Sequence, residues 1–269
     1  MQDKRIGLIG CGAMGSAIAR GMINKGGVEP AAVQVYDVKR EQSEKLAQEL
    51  QLVAVPDLAA MIPYCRHLII AVKPQDMAAL LKTIAPLVKP HQLITSIAAG
   101  ISIQFIASLL PPGSKVIRLM PNTACLVGEG AMAISSGAAV TAAEQEEVSA
   151  LFRPLGLVVP VPEKLMNAVT GLSGSGPAYV FLFVEALIDA GVNAGLPREV
   201  ASALVVQTVF GAAQMLRESK LHPAELRNAV TSPAGTTSAA LQVLEEAGFR
   251  GSLGKAVMQA FRRAGELLS

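Results

Sequence analysis

Aromatic, charged and cysteine residues are all scarce in this sequence of 269 residues. Tryptophan is absent, and no run of lysine or arginine forms the basic stripe that nucleic-acid-binding proteins combine with stacking aromatics. Charged residues make up 16% of the chain, whereas a typical soluble domain has about 25%. Hydrophobic residues reach 51%, which excludes a disordered chain, and the net charge of +2 favours no class of partner.

Cysteines and long apolar runs are too sparse for several further classes of protein. The three cysteines Cys11, Cys65 and Cys125 have no paired spacing, so we expect neither a disulfide framework nor a zinc site. Charge-free apolar runs end before the about 20 residues that a membrane-spanning helix needs. No apolar core of a signal peptide follows the first residues, and we expect a soluble, cytoplasmic protein without a bound metal.

One region concentrates the excess of apolar residues. Between Leu165 and Leu216 the charged residues are limited to Glu185, Asp189, Arg198 and Glu199. Helices with so little charge must be covered on nearly all sides, and one small helical domain cannot supply that cover. A second subunit can, because obligate interfaces resemble a domain core cut in half, so the sequence predicts an intertwined homodimer.

The first part of the chain alternates between strand-like and helical segments. Short apolar runs predict strands at Lys4 to Ile9, Val33 to Tyr36, His67 to Val72, Gln92 to Ser96, Lys115 to Leu119, Ala131 to Ser135 and Leu157 to Val161. Helical patterns lie between them at Ala13 to Asn24, Arg40 to Leu50, Gln75 to Val88, Ser102 to Leu109 and from about Glu144. Buried strands that alternate with helices predict βαβ units and a parallel sheet.

Beyond Pro160-Val161-Pro162 the pattern becomes helical throughout. Helices are predicted at Gly176 to Asn193, Arg198 to Glu218, Pro223 to Val230, Ser238 to Ala247 and Phe249 to Leu268. The two prolines mark the predicted boundary between an α/β domain, residues 1–161, and an all-helical domain, residues 162–269.

A glycine-rich turn lies between the first strand and the first helix. It reads Gly10-Cys11-Gly12-Ala13-Met14-Gly15, a G-x-G-x-x-G pattern in the context that gives the pattern meaning. Gly10 permits the tight turn, Gly12 lets the backbone approach a pyrophosphate, and Gly15 lets the helix pack on the strand. Free N–H groups at the helix start bind phosphates, so we predict a dinucleotide site and a Rossmann fold in the first domain.

The residues that read the adenosine ribose are expected about 20 positions further on, at the end of the second strand. Asp37 can accept hydrogen bonds from the 2′- and 3′-hydroxyls and repels a 2′-phosphate, which favours NADH. Lys39 and Arg40 could neutralise such a phosphate, so NADPH stays open as a cofactor.

Two turns after later strands should face the same cofactor, since ligands bind beyond the carboxyl ends of parallel strands. The first turn is Ala71-Val72-Lys73-Pro74, and the second is Ser96-Ile97-Ala98-Ala99-Gly100. Small residues there admit a nicotinamide ring, although ordinary turn chemistry explains the same residues.

Few residues are candidates for acid–base chemistry. His67, His91 and His222 lie beside strand starts or in a helix–helix turn, and we expect them to be structural or exposed. No Ser-His-Asp arrangement, metal cluster or pair of carboxylates favours hydrolysis. Lys73 is the one plausible general base for an alcohol, whereas a protonated imine mainly needs positioning beside a nicotinamide.

Two segments rich in small residues could hold a carboxylate substrate. Gly171 to Tyr179, which contains Ser175, opens a long apolar helix, and Ser232 to Ser238 opens another. Hydroxyls and free N–H groups at helix starts attract carboxylates, although simple helix capping explains either segment alone.

These segments together resemble the Δ1-pyrroline-5-carboxylate reductase family, enzymes that make L-proline with a nicotinamide cofactor. The matching segments are those already named together with Arg118 to Thr123, His222-Pro223 and Val243 to Arg250, and Leu226 to Phe249 resembles the family signature. Each segment alone is weak, but all of them in order, over almost the whole chain, are highly specific.

The resemblance implies a Rossmann domain followed by a helical dimerisation domain, with the active site between domains and a larger ring of dimers left open. It implies that 1-pyrroline-5-carboxylate is held by Ser232, Gly235 and Thr236, together with Ser175. The hydroxyl of Thr237 is implied to lie near the ring nitrogen, where it donates or relays a proton.

The resemblance also implies two residues on the cofactor side, Asn122 and, near the nicotinamide, Glu163. Two positions depart from the family pattern. Ala234 stands where many members have glycine, which is a mild change. Asp37-Val38 stands where many members have Asn-Arg or a serine-rich turn suited to a 2′-phosphate, so this sequence favours NADH over the family's common NADPH.

Two other functions are compatible with parts of the sequence. A β-hydroxyacid dehydrogenase also combines a Rossmann domain with a helical domain, but it needs a catalytic lysine there, and Lys164 lies close to the boundary proline. A non-catalytic dinucleotide sensor would have no need of the substrate loops rich in serine and threonine.

Overall fold

The computed structural model describes residues 5–266, and these residues form two units. The first, the sheet unit, contains residues 5–175 and 259–266. The second, the helical unit, contains Gly176–Met258.

One eight-stranded sheet forms the centre of the sheet unit. Its strands are β1 (Ile6–Ile9), β2 (Val33–Tyr36), β3 (Val53–Ala54), β4 (His67–Ile70), β5 (Leu93–Ser96), β6 (Lys115–Met120), β7 (Gly130–Ser136) and β8 (Gly156–Pro160). Their order across the sheet is β3-β2-β1-β4-β5-β6-β7-β8. The strand order reverses at β1, which lies between β2 and β4, and such a reversal creates the ligand crevice of dinucleotide-binding folds.

The sheet is parallel apart from one pair of strands. All neighbours from β3 to β6 are parallel, as the sequence predicts, and so are β7 and β8. β6 and β7 are antiparallel, with Arg118 opposite Ser135. Residues 121–129 alone connect them, and a parallel pair would need a crossover of about a dozen residues or more.

Helices cover both faces of the sheet. In the sheet unit they are α1 (Ala13–Asn24), α2 (Arg40–Leu50), α3 (Leu58–Met61), α4 (Met77–Ile84), α5 (Ile103–Ser108), α6 (Ala142–Phe152) and α7 (Met166–Val169). Buried residues of α1, α2 and α6 form one core, and those of α3, α4 and α5 form the other. Successive strand residues such as Leu68 and Ile69 enter opposite cores, as the alternation along a strand requires. The predicted Rossmann architecture is therefore confirmed.

The helical unit carries much exposed apolar surface. Its helices are α8 (Gly176–Asn193), α9 (Arg198–Ser219), α10 (Pro223–Ala229), α11 (Thr236–Glu246) and the first part of α12 (Phe249–Glu266). Phe181, Leu182 and Phe210 are each more than half exposed. By length and composition alone, the helical runs Glu163–Asn193 and Arg198–Ser219 could cross a membrane, a weak indication that core helices of soluble proteins also give.

Most predicted elements agree with the structure. The predicted ranges of α1, α2 and α8 match the observed ones, and no strand occurs from residue 163 to residue 266. The sequence missed β3 and α3, because elements of two and four residues are too short to show a periodic pattern. α11 begins at Thr236, two residues earlier than predicted, because Gly235 occupies the N-cap position.

The boundary between the two units lies between residues 175 and 176, whereas the predicted domain boundary lies between residues 161 and 162. The intervening segment belongs to the sheet unit because Met166 is fully buried against Met120 and Ala133. The division into domains at residues 1–161 and 162–269 stays a prediction.

Candidate dinucleotide and substrate sites

The glycine-rich turn lies between β1 and α1, as its sequence context predicts. Gly10 has a φ of 102°, and a Cβ there would lie 2.6 Å from the Ala71 carbonyl oxygen, so only glycine fits. A Cβ on Gly15 would collide with the Gly10 carbonyl oxygen, which brings the helix close to the turn. A Cβ on Gly12 would meet no atom within 4 Å, so the space beside this backbone is open. Ala13 and Met14 form the first turn of α1, which no side chain caps.

Asp37 ties the end of β2 to the glycine turn. One carboxylate oxygen accepts the Cys11 N–H at 2.7 Å, and the other accepts the Lys39 N–H at 2.8 Å. Each oxygen keeps a lone pair for a further donor such as a ribose hydroxyl. Asp37 also lines a cavity of about 380 Å³, together with Gly10, Val72 and Leu80. That volume lies within the range of about 300–1,000 Å³ typical of ligand pockets.

The basic residues after Asp37 are exposed. Arg40 forms an ion pair with Glu44 one helical turn away, with 2.6 Å between Nε and Oε1. Lys39 is the N-cap residue of α2 and is exposed. The Arg40–Glu44 ion pair does not hold a cation beside the Asp37 carboxylate.

Cys11 is a poor candidate for redox chemistry. The residue is 5% exposed and packs in the core beneath the turn. Burial, and secondarily the Asp37 carboxylate, raises the pKa of the Cys11 thiol to about 12. Thiolate is the reactive form of cysteine, so this side chain acts as a small packing group.

The turns after β4 and β5 lie at the carboxyl edge of the sheet. Ala71 donates its N–H to the Ile9 carbonyl, while the Lys73 side chain is exposed and Pro74 begins a short 3-10 turn. Ala98 is buried and donates its N–H to Ser96 Oγ at 3.3 Å.

Glu163 links three parts of the sheet unit. Its Oε1 accepts the N–H of Ile103, the first residue of α5, at 2.5 Å. The same oxygen lies 3.7 Å from Nη1 of Arg118, a buried residue of β6. Sequence reasoning overlooked Arg118 as a site residue, although a charge within a buried strand was a visible signal.

Asn122 is engaged at both ends of its amide. Its Nδ2 donates to the Ser173 carbonyl at 3.0 Å, and its Oδ1 accepts the Ala131 N–H at 3.2 Å. The side chain thereby connects the loop after β6 to the π-helical turn Thr170–Gly174, which ends just before Ser175. Single π-helical turns are frequent at functional sites, and the sequence pattern gave no sign of this one.

The loop Ser232 to Thr237 leads into α11 in the helical unit. A Cβ on Gly235 would collide with Ser232 Oγ, so a larger residue there would displace the Ser232 hydroxyl. Thr236 and Thr237 form the first turn of α11, and no side chain caps that helix. Uncapped N–H groups at a helix start are a binding site for an anion such as a carboxylate.

Ala234 adopts a backbone conformation that favours glycine. Its φ is 55°, in the left-handed region, which costs a residue with a Cβ roughly 1–2 kcal/mol. Alanine in place of the glycine that many members of the resembled family have therefore strains the loop locally.

The histidines have structural or exposed positions. His67 is buried and contacts Glu147 Oε1 through Nε2 at 3.1 Å, and His222 Nδ1 accepts the Ala224 N–H at the start of α10. His91 is exposed, and its carbonyl accepts from Arg66. Among residues 5–266, no group of three or more His, Cys, Asp or Glu side chains could hold a metal ion.

Two segments of the chain match the sequence patterns of known protein families. Residues 163–267 match the family described as pyrroline-5-carboxylate reductase dimerisation. Residues 5–100 match the family described as NADP oxidoreductase, coenzyme F420-dependent. The first match covers α7 to α12, and the second covers the glycine turn and Asp37.

Relatives and solved structures match the chain over its full length. The pyrroline-5-carboxylate reductase of Methanosarcina acetivorans is 41% identical, with 99% of each chain covered. The structure of a pyrroline-5-carboxylate reductase from Coxiella burnetii has a TM-score of 0.93 at 32% identity, with 99% of each chain covered. The Plasmodium falciparum pyrroline carboxylate reductase with NADP bound has a TM-score of 0.90 at 32% identity, with full coverage of both chains.

Sequence identity of this size over the whole length far exceeds what a shared fold alone produces. The chain therefore belongs to the pyrroline-5-carboxylate reductase family, a family of oxidoreductases.

Proposed function

We propose that this chain reduces 1-pyrroline-5-carboxylate to L-proline with NADH or NADPH, the last step of proline biosynthesis, in the cytoplasm. The observation that carries the proposal is the 41% identity to a pyrroline-5-carboxylate reductase over 99% of the chain. The sheet unit has the open glycine turn that a dinucleotide needs, and the helical unit has an uncapped helix start beside serine and threonine hydroxyls.

The residues of the sheet unit fit a dinucleotide. The backbone from Gly10 to Gly15 would hold the pyrophosphate, since Gly12 leaves its approach open. Asp37 and Lys39 would meet the adenosine ribose beside the cavity that Asp37 lines. When bound, the reduced nicotinamide supplies the hydride that adds to the imine carbon.

Two turns and two further side chains would surround the nicotinamide end. The turn residues are Ala71, Val72, Lys73, Pro74, Ala98 and Ala99. Glu163 would set the position of the second turn through Ile103. Asn122, whose amide is already bonded to two backbone groups, would act mainly by holding its loop in place.

The substrate carboxylate would bind at the start of α11. Ser232, Gly235 and Thr236 would contribute hydroxyl and backbone N–H donors. Ser175, in the sheet unit, is a further proposed substrate-binding residue. Thr237 would place its hydroxyl near the ring nitrogen, where it donates or relays the proton that the product amine requires.

The exposed apolar faces of α8 and α9 support a homodimer. Phe181, Leu182 and Phe210 together with their neighbours would be costly to leave in water, and residues 163–267 match a family defined by dimerisation. A partner subunit would bury these apolar faces, so helices of this composition can be stable without a membrane.

The direct test of function mixes the purified chain with NADH and 1-pyrroline-5-carboxylate and follows nicotinamide absorbance. We expect the absorbance to fall and L-proline to form in equal amount. A β-hydroxyacid dehydrogenase would instead oxidise a hydroxyacid with NAD⁺, and a dinucleotide sensor would bind NADH without turnover. Either of those results would contradict the proposal.

The dimer makes a prediction about mass in solution. We expect light scattering at micromolar concentration to give at least twice the chain mass of 27.9 kDa. Phe181→Glu should shift the mass toward the monomer because it places a charge within the apolar surface. A wild-type chain that is a monodisperse monomer in dilute solution would refute the dimer.

Thr237→Ala should lower kcat by about 100-fold, since a positioned proton donor contributes on that order. The Kd for NADH, measured by fluorescence, should stay within about twofold because the cofactor residues are untouched. Thr237→Ser keeps the hydroxyl and is the matched control, which should retain most of the activity. Unchanged turnover in Thr237→Ala would remove this residue from the mechanism.

Asp37 should make the chain prefer NADH. Asp37→Ser removes the charge that repels a 2′-phosphate and leaves Lys39 and Arg40 nearby, so the ratio of kcat/KM for NADH to that for NADPH should fall by about tenfold or more. Glu41→Ser removes an exposed carboxylate from the first turn of α2 and should change this ratio little. A wild-type chain that strongly prefers NADPH would contradict the assignment of Asp37.

A further inference from the structure

A row of buried polar residues crosses the sheet beneath the turn after β5. Arg118 in the middle of β6 pairs in register with Ser96 of β5 and with Ser135 of β7. Paired residues of adjacent strands point to the same face, so the three side chains share one face of the sheet. All three are at most 5% exposed, and apolar residues such as Val116 and Met120 flank them along β6.

Burial of the Arg118 guanidinium at this position costs free energy of folding. The residue is 3% exposed, and Nε and Nη2 have no hydrogen-bond partner among residues 5–266. Burial lowers the pKa of Arg118, and the Glu163 carboxylate opposes that shift. Replacing such a pair by packed apolar residues is often neutral or stabilising, so stability does not explain a charge at this position. Locally unfavourable residues of this kind are expected at functional sites.

Glu163 connects Arg118 to the turn Ile97 to Gly100. The same Oε1 that lies 3.7 Å from Arg118 accepts the Ile103 N–H, just after the turn. At the beginning of the turn, Ser96 Oγ accepts the Ala98 N–H. Ala99 packs against the small cluster that contains Met166, one turn beyond Glu163. Both ends of the turn are therefore attached to groups in or beside the polar row.

We propose that Arg118 is a positioning residue for the nicotinamide end of the site: it orients the Glu163 carboxylate, which holds the start of α5 and thereby the turn Ile97 to Gly100. The inference rests on the proposed function, because the turn has a role only if Ala98 and Ala99 face the nicotinamide. The requirement is for a buried cation at Arg118 and an anion at Glu163, whose side chain is partly buried.

The test compares two ligands that differ at the nicotinamide. ADP-ribose carries the adenosine and pyrophosphate of NADH but has no nicotinamide. For Arg118→Met in the full chain, calorimetry should show the Kd of NADH raised about tenfold and that of ADP-ribose by less than about twofold. General damage to the fold would weaken both ligands alike.

Two further variants keep the test decisive. Arg118→Lys retains the positive charge and should recover much of the NADH affinity. Glu163→Gln keeps an oxygen for the Ile103 N–H but loses the ion pair, so it should resemble Arg118→Met. The double variant should be little worse than either single one, since both remove the same interaction. If Arg118→Met does not fold, the lysine and glutamine variants carry the comparison.

Arg66→Met is the matched control at the other end of the sheet. Arg66 is partly buried, whereas Arg118 is almost fully buried, and Arg66 too is paired with a glutamate, Glu147, at 3.0 Å. Its replacement should lower thermal stability without changing the ratio of the two Kd values. Equal weakening of NADH and ADP-ribose in Arg118→Met, an unchanged NADH Kd, or additive effects in the double variant would overturn the inference. A wild-type chain that binds NADH but does not reduce 1-pyrroline-5-carboxylate would instead refute the proposed function, and the comparison of Kd values would still stand.

Discussion

The register of three strands decides where this chain can bind a dinucleotide. Ile9 at the end of β1 pairs with Tyr36 of β2 and with Ile70 of β4, so three carboxyl ends stop at one level. The turns that follow carry Gly10 and Asp37, and they meet around one cavity. A slip of one residue in either pair would turn the side chains to the opposite face and separate these groups.

The glycine turn depends on that alignment. Gly10 donates its N–H to the Tyr36 carbonyl at 2.8 Å, and Cys11 donates to the Asp37 carboxylate. Two consecutive N–H groups therefore attach the turn to β2. The next N–H groups belong to the uncapped first turn of α1 and are left for a ligand. Attachment of the turn and availability of its donors follow from one arrangement of the backbone.

Local sequence predicted the elements that have local causes. The glycine pattern, the periodic apolar residues of α1 and α8, and the proline and glycine positions between helices all act within a few residues. The antiparallel placement of β7 was not predicted, because an apolar strand looks the same in either direction. The strain at Ala234 was visible in the sequence only as a departure from glycine, and its positive φ is a property of the folded loop.

The sequence by itself determined the Rossmann context of the glycine turn, the candidate ribose contact at Asp37 and the excess of apolar helix surface. Each of these depends on residue type and short spacing. Only the tertiary structure decided the partners of Glu163 and Asn122, which are 60 and 51 positions away along the chain, at Ile103 and Ser173. Such pairs form because strand order and helix packing bring distant segments together, and no periodicity in a single sequence records which buried charge will meet which carboxylate.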